Sequence, residues 1–404
     1  MKNFHSICAR EPENHTESTR PHVLPIYPTS AYDFASLEQG MAIFQGKEQG
    51  HIYGRFANPT VDVVAQKIAD LETHGTEISA RGYFLSSGMA AISTLVLSQL
   101  KPGDAILTQG NIYGGTTALF KNMFEPLGIN TILVNLSDAA AVEQALRENA
   151  QIKMLYFETP SNPNLECVDI VLLTTIAQQH GVLTVADNTF CTPFLQQPLR
   201  YGVDVVIHST TKFLNGHGNS IAGALISANE SVLEKFFATM KVNGTTGNPW
   251  DAWLTHNGMK TLALRMTQHS RNAQFIAEQL QQHPKVDRVN YVGLSSHPDH
   301  SLAMQQMRMG GGILSFELKG ESHEARLEAG KRFVNALQHC KLAPTLGDPD
   351  TLIMHPASMS HSSISRELRL ANGIGDGLIR ISVGIEDKGD IWGDLEQALG
   401  FSRD

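Results

Sequence analysis

Between residues 82 and 227 the chain repeats one pattern: a run of five or six mostly apolar residues, then a segment long enough for a helix. The runs are 82–86, 105–109, 130–134, 154–158, 182–187, 203–208 and 222–227. A strand that is apolar throughout has both faces covered, which calls for a mostly parallel sheet with helices on either side. The intervening segments fit that demand. Residues 60–71 carry apolar positions at helical spacing behind the boundary residue Pro59, and 170–180 stops at Gly181, in the usual C-terminal position. The expected fold is α/β.

The flanks read differently. Residues 1–60 are irregular, with Pro21, Pro25 and Pro28 breaking any helix. Beyond the pattern, helical segments, chiefly 253–282, lead to 311–318 and 378–383, which alternate like half-exposed antiparallel strands. The expected organisation is an N-terminal segment 1–60, a domain 61–255 built on the parallel sheet, and a smaller C-terminal α+β domain 256–404. Two domains accord with 404 residues.

Composition excludes several classes of function. A net charge of −9 removes the attraction to phosphate backbones on which nucleic-acid binders rely. Neither Met1–His5 nor the polar stretch 9–21 has an apolar leader core, and no stretch approaches the roughly 18 apolar residues of a membrane span. Cys8, Cys167, Cys191 and Cys340 are scattered without CxxC spacing, as expected of free thiols in a reducing cytosol. A cytoplasmic location follows as an expectation. Seventeen histidines raise the question of metal, but there is no HExxH, and His355 and His361 share a loop without acidic ligands. No metal is expected.

In open α/β sheets, ligands sit at the carboxyl ends of the strands. Asn162 follows the run ending at Glu158, Asp187 ends the next, and Ser209, Thr211 and Lys212 follow 203–208. Singly, a strand-end aspartate is usually a cap and a lysine usually solvated. Together in one layer, an amine and a carboxylate suit pyridoxal phosphate: the amine forms a Schiff base, and the carboxylate keeps the ring nitrogen protonated. Ser87-Gly88-Met89 opens an apolar helix after a strand, a junction suited to a phosphate, although a plain turn reads the same way. Hydroxyls at Ser209 and Thr211 offer further donors. Tyr113 either stacks on a heteroaromatic ring or packs in the core. Arg380 either grips a carboxylate or lies on the surface. Gly216-His217-Gly218 is no dinucleotide fingerprint, because Ile221 stands where the third glycine belongs.

The motifs Asp187-Asn188-Thr189-Phe190 and Val206-Ile207-His208-Ser209-Thr210-Thr211-Lys212-Phe213 resemble the Cys/Met-metabolism family of pyridoxal-phosphate enzymes. The likeness extends through Tyr53-Gly54-Arg55, Ser87-Gly88-Met89, Glu158-Thr159-Pro160-Ser161-Asn162-Pro163 and Arg380-Ile381-Ser382-Val383-Gly384, nearly the whole chain in order. It implies fold-type I, with pyridoxal 5'-phosphate as cofactor and Lys212 as its Schiff-base lysine. It further implies that Asp187 partners the ring nitrogen, Tyr113 stacks and transfers protons, and Gly88, Met89, Ser209 and Thr211 hold the phosphate. By the same resemblance Tyr53 and Arg55 are expected to reach a neighbouring subunit's phosphate, which implies an obligate dimer within a homotetramer. The resemblance implies that Arg380 and Asn162 bind the α-carboxylate of an amino acid substrate.

Within the family the loop 355–363 looks most like methionine γ-lyase, implying γ-elimination to 2-oxobutanoate, ammonia and a thiol. The alternatives are γ-replacement on an O-acylated homoserine and cystathionine γ-lysis. Pro344 replaces the glutamate associated with cystathionine-handling members. Two departures stand against the lyase pattern: Gly115 in place of a cysteine, and Thr345, counted among the substrate residues, in place of a serine.

Overall fold

The computed structural model describes residues 3–10, 21–360, 362 and 365–401. Most of the polar N-terminal stretch, residues 11–20, lies outside the described residues, as do His361 and Ser363 of the loop 355–363. All seven apolar runs are strands of one sheet: β1 (Arg81–Leu85), β2 (Ala105–Thr108), β3 (Asn130–Leu133), β4 (Ile152–Glu158), β5 (Leu183–Asp187), β6 (Val205–His208) and β7 (Gly223–Ser227). Their order is β1-β7-β6-β5-β4-β2-β3. From β6 to β3 the pairing is parallel, and β7 runs antiparallel to both β6 and β1.

The alternation along β4 shows why the runs are apolar throughout. Leu155 and Phe157 enter one core, with Ile68 of the helix Pro59–Glu72 and Leu173 of the helix Ile170–Gln179. Met154 and Tyr156 enter the other, with Ile92 of the helix Gly88–Gln99 and Phe236 of the helix Glu230–Asn243. The central strands therefore bury both faces, while the edge strands β1 and β3 are partly exposed. Local signals set the helix ends: the Asn58 side chain accepts from Thr60 N ahead of Pro59, and Gly181 follows the 170–179 helix at φ +64°.

A second sheet follows, in the order β10-β11-β12-β9-β8. It comprises β8 (Val286–Asn290), β9 (Ile313–Leu318), β10 (Lys341–Leu342), β11 (Leu352–Met354) and β12 (Leu378–Ser382). β12 pairs antiparallel with β9, as expected, but neither strand is half-exposed: every residue of both is buried. Two of their polar positions, Ser315 and Arg380, face a loop of the first sheet rather than water. Ser315 Oγ donates to Pro163 O at 2.9 Å, and Arg380 Nη1 to Asn162 Oδ1 at 3.3 Å. The helical segment near 253–282 is two helices, Pro249–Met259 and Leu262–Gln282. The N-terminal sixty residues are not wholly irregular either, since Phe4–Ala9 and Leu37–Phe44 form short helices.

Candidate active site

One cavity of about 250 Å³ lies at the carboxyl ends of the parallel strands. Gly88, Met89, Tyr113, Asn162, Asp187, Ser209, Thr211, Lys212 and Arg380 all line it. Residues that began 292 positions apart in the chain (Gly88 to Arg380) thus share one wall.

Lys212 follows β6 on a turn closed by a bond from Gly216 N to Lys212 O at 2.7 Å. Its Nζ donates to Thr345 Oγ1 at 2.7 Å. Burial, and then the positive charge of Arg380, push its amine down from 10.5 to about 8. Desolvation and a neighbouring cation both disfavour the charged form, which prepares a lysine to act as nucleophile and base.

Asp187 ends β5 beside Glu158, which ends β4 and is its register partner. Asp187 Oδ1 accepts from Thr189 N at 3.0 Å and Oδ2 from Tyr156 Oη at 3.2 Å. Burial raises both carboxyls, and the charge of Asp187 raises Glu158 further. The donors around Asp187 oppose its rise, so of the two carboxyls Glu158 is pushed further toward the neutral form. Glu158 Oε1 also accepts from Tyr113 N at 2.8 Å, fixing the backbone of the tyrosine. Glu158 was legible only as a strand end. Its register with Asp187 is the signal that places it in the site.

The phosphate cradle is built by close approach. A Cβ at Gly88 would lie 3.0 Å from Ser209 Cβ, a tight fit that Ser209 would have to yield to, and one at Gly223 only 2.2 Å from Ser87 O, which excludes a larger residue there. Ser87 caps the Gly88–Gln99 helix by accepting from Ala90 N at 3.0 Å. The amides of Gly88 and Met89, ahead of that bond, are the ones left for an anion. Ser209 N donates to Thr189 Oγ1 at 2.8 Å. Thr211 is less free than its position implies: its hydroxyl donates to Ala222 O at 3.1 Å and accepts from Ala222 N at 3.0 Å.

Arg380 is 4% exposed, and among the described residues it has no carboxylate partner. Nη2 donates to Thr345 O at 2.9 Å, while Nε is buried without a partner. A buried cation with an unused donor is costly unless an anion completes it.

Tyr53 and Arg55 do not line the cavity of their own chain. Arg55 donates to Lys241 O at the end of the Glu230–Asn243 helix, and its guanidinium lies 5.4 Å from the Tyr53 ring. Among the described residues no group of three or more His, Cys, Asp or Glu is placed to hold a metal, and no helix is long and apolar enough to cross a membrane.

A depressed amine, a strand-end carboxylate and a helix N-terminus around one cavity define a site for an anionic heteroaromatic aldehyde. The donor set fits pyridoxal phosphate. Residues 5–400 match the family described as Cys/Met metabolism PLP-dependent enzyme, and the chain belongs to that family. It is 44% identical to L-methionine gamma-lyase of Fusobacterium nucleatum subsp. polymorphum, over 93% of each chain. The structure of a putative O-acetylhomoserine (thiol)-lyase from Campylobacter jejuni, which contains a pyridoxyl-lysine-phosphate, superposes with a TM-score of 0.92. That neighbour is 32% identical and covers 99% of this chain and 100% of its own. Cystathionine gamma-lyase from Lactobacillus plantarum superposes with a TM-score of 0.90, 36% identity and 99% coverage of both chains. The fold is that of the fold-type I pyridoxal-phosphate enzymes, and pyridoxal phosphate is the cofactor.

Proposed function

We propose that the chain is a carbon–sulfur lyase that eliminates the γ-substituent of L-methionine, or a closely related sulfur amino acid, giving 2-oxobutanoate, ammonia and a thiol. The charge inventory of the cavity carries this reading. Its charged lining residues are Glu158, Asp187, Lys212 and Arg380. Lys212 and Asp187 serve the cofactor, burial and the charge of Asp187 push Glu158 toward its neutral form, and Arg380 remains for the α-carboxylate. Among the described lining residues no charge is left for the distal ammonium of cystathionine, and Pro344, Leu346 and Ile221 offer an apolar lining suited to a thioether. The likeness to L-methionine gamma-lyases points the same way.

Bound there, the cofactor supplies an electron sink for charge developing at the substrate α-carbon. Arg380 and Asn162 hold the α-carboxylate, and Thr345 keeps the Lys212 amine beside it. Once released from the cofactor, Lys212 takes the α-proton, and its depressed pKa of about 8 suits that task near neutral pH. Tyr113 stacks on the ring and handles the proton at the departing sulfur. The amides of Gly88 and Met89, with Ser209, grip the phosphate, and Thr211 joins them if its hydroxyl turns from Ala222 O. The purified protein should release thiol and 2-oxobutanoate from methionine. Turnover confined to an O-acylhomoserine plus sulfide or cysteine would overturn the lyase reading.

The site is completed by a neighbouring copy. Tyr53 and Arg55 reach the partner's phosphate in a dimer-built tetramer, a reading supported by their position outside their own cavity and by exposed Leu37, Met41 and Phe44 nearby in sequence. Residues 1–60 form the contacting arm, 61–255 the cofactor domain and 256–404 the C-terminal domain. Four buried free cysteines suit a cytoplasmic setting.

A further inference from the structure

The second sheet carries a polar row of which the chemistry above uses one member. Arg380 on β12, Ser315 on β9 and Asn290 on β8 are register partners across three adjacent strands. They are 4%, 0% and 9% exposed. Strand residues alternate between the faces of a sheet. Leu314, Phe316, Ile379 and Ile381, to either side of the row, enter the core of the C-terminal domain, so Ser315 and Arg380 turn the other way, onto the loop that follows β4. Asn290 Nδ2 donates to Ser315 Oγ at 3.0 Å, and Ser315 Oγ donates to Pro163 O at 2.9 Å. Beside them Arg380 Nη1 donates to Asn162 Oδ1 at 3.3 Å. Neither Ser315 nor Asn290 lines the cavity.

The ordinary reading is a row that merely joins two sheets. An apolar row would do that without desolvating an amide and a hydroxyl. The directions of the bonds say more. The Ser315 hydroxyl has one proton, and because Asn290 donates to its oxygen, that proton is left for Pro163 O. Pro163 has no N–H, so its carbonyl is the backbone group by which it can be gripped. Arginine only donates, so Asn162 turns its oxygen to Arg380 and keeps Nδ2 for an anion. The loop does not hold this shape without help. Its base is closed by Ser161 N to Glu166 O at 2.9 Å and Leu165 N to Ser161 O at 3.0 Å. Yet the turn sets the buried Leu165 at φ +62°, a conformation that leucine resists unless its surroundings impose it. Asn164 Nδ2 ties the far side to Asn372 O at 2.6 Å, and the Ser315 hydroxyl grips the side next to Asn162.

We infer that Ser315 and Asn290 are positioning residues for the substrate carboxylate: Asn290 aims the Ser315 hydroxyl, which hooks Pro163 and so holds the Asn162 amide beside the Arg380 guanidinium. Neither residue touches substrate or cofactor. Because Ser315 and Arg380 are partners in one register, a single strand pairing sets the spacing of both halves of the clamp. The inference rests on Arg380 and Asn162 as the carboxylate's ligands, and an Arg380→Lys control tests that assignment separately.

The test titrates the purified holoenzyme with two ligands, reading binding from the visible absorption of the bound cofactor. L-norleucine has a methylene where methionine has sulfur, and so no leaving group. Its amino alcohol lacks the carboxylate as well. Ser315→Ala should weaken L-norleucine about fivefold, the worth of one net hydrogen bond, and leave the amino alcohol within about twofold. Asn290→Ala should do the same, and the double variant should be no worse than Ser315→Ala, because the two act in series. Equal weakening of both ligands, or unchanged binding alongside a lowered Tm, would reduce the row to a structural contact and overturn the inference. If Arg380→Lys also spares L-norleucine, the carboxylate is bound elsewhere and the underlying reading falls with it. If Arg380→Lys is selective and Ser315→Ala is not, the inference alone falls. Should Asn290→Ala fail to fold, Asn290→Asp keeps the shape but turns the donor into an acceptor. It should draw the Ser315 proton away from Pro163 and show the same selective loss.

Discussion

The two sheets bring opposite kinds of residue to the same cavity. From the seven-stranded sheet come Asp187, Ser209 and Lys212, each at or just beyond the end of a strand buried on both faces. From the five-stranded sheet come Arg380, in the middle of β12, and Thr345, in the connection from β10 to β11. The first group is positioned by local rules, because a parallel strand delivers its terminal residue to one edge. The second group reaches the cavity only through packing between the sheets. The cofactor half therefore follows from the strand order of one sheet, and the substrate half depends on how the two sheets pack together.

The sharpest way to stress the cofactor half is through the amine itself. With a folded-state value near 8 instead of 10.5, Lys212 in the apo-protein is mostly neutral above pH 8, and its free-amine fraction falls as the pH drops through 8. At neutral pH that fraction is about three-hundredfold that of an ordinary lysine. Carbamylation by cyanate, followed peptide by peptide by mass spectrometry, should show a midpoint near pH 8 for Lys212 alone. A midpoint above 10 would remove the preparation that its burial is said to provide.

On the substrate half, Arg380→Lys keeps the charge and loses the planar fork. A charge-assisted bond is worth about 1.5–3 kcal/mol, so kcat/KM for methionine should fall roughly ten- to a hundred-fold, mainly through KM. An unchanged KM would mean that the buried guanidinium only joins the sheets. The smallest expected effect belongs to Pro344→Glu, which adds the missing charge at the cavity wall. It should raise the preference for cystathionine over methionine by roughly tenfold, a change no larger than one pocket contact supplies. If the preference does not move, the leaving group is read elsewhere.

What the sequence disclosed divides along the same line. The central strands of the large sheet, and the clustering of Asp187, Ser209 and Lys212 at their ends, were legible because burial on both faces leaves a continuous apolar run. The partly exposed edge strands β1 and β3 were legible by their place in the same alternation. β9 and β12 were misread as half-exposed because an alternating pattern does not reveal what covers the polar face. Here Asn162 and Pro163 cover it, from a loop more than 150 residues away in the chain. Glu158 was seen as a strand end but not as the neighbour of Asp187, since register across a crossover is set by tertiary packing. The involvement of the Thr211 hydroxyl with Ala222 was equally hidden, as that bond depends on how the chain returns after the lysine turn.

The claim that joins both halves is that Lys212 is the residue on which the cofactor is anchored. Borohydride reduction of the purified holo-protein, followed by proteolysis and mass spectrometry, tests it directly. The pyridoxyl-phosphate mass should appear on the peptide containing Lys212 and should vanish in Lys212→Ala. A label on another lysine, with the Lys212 peptide unmodified, would contradict it.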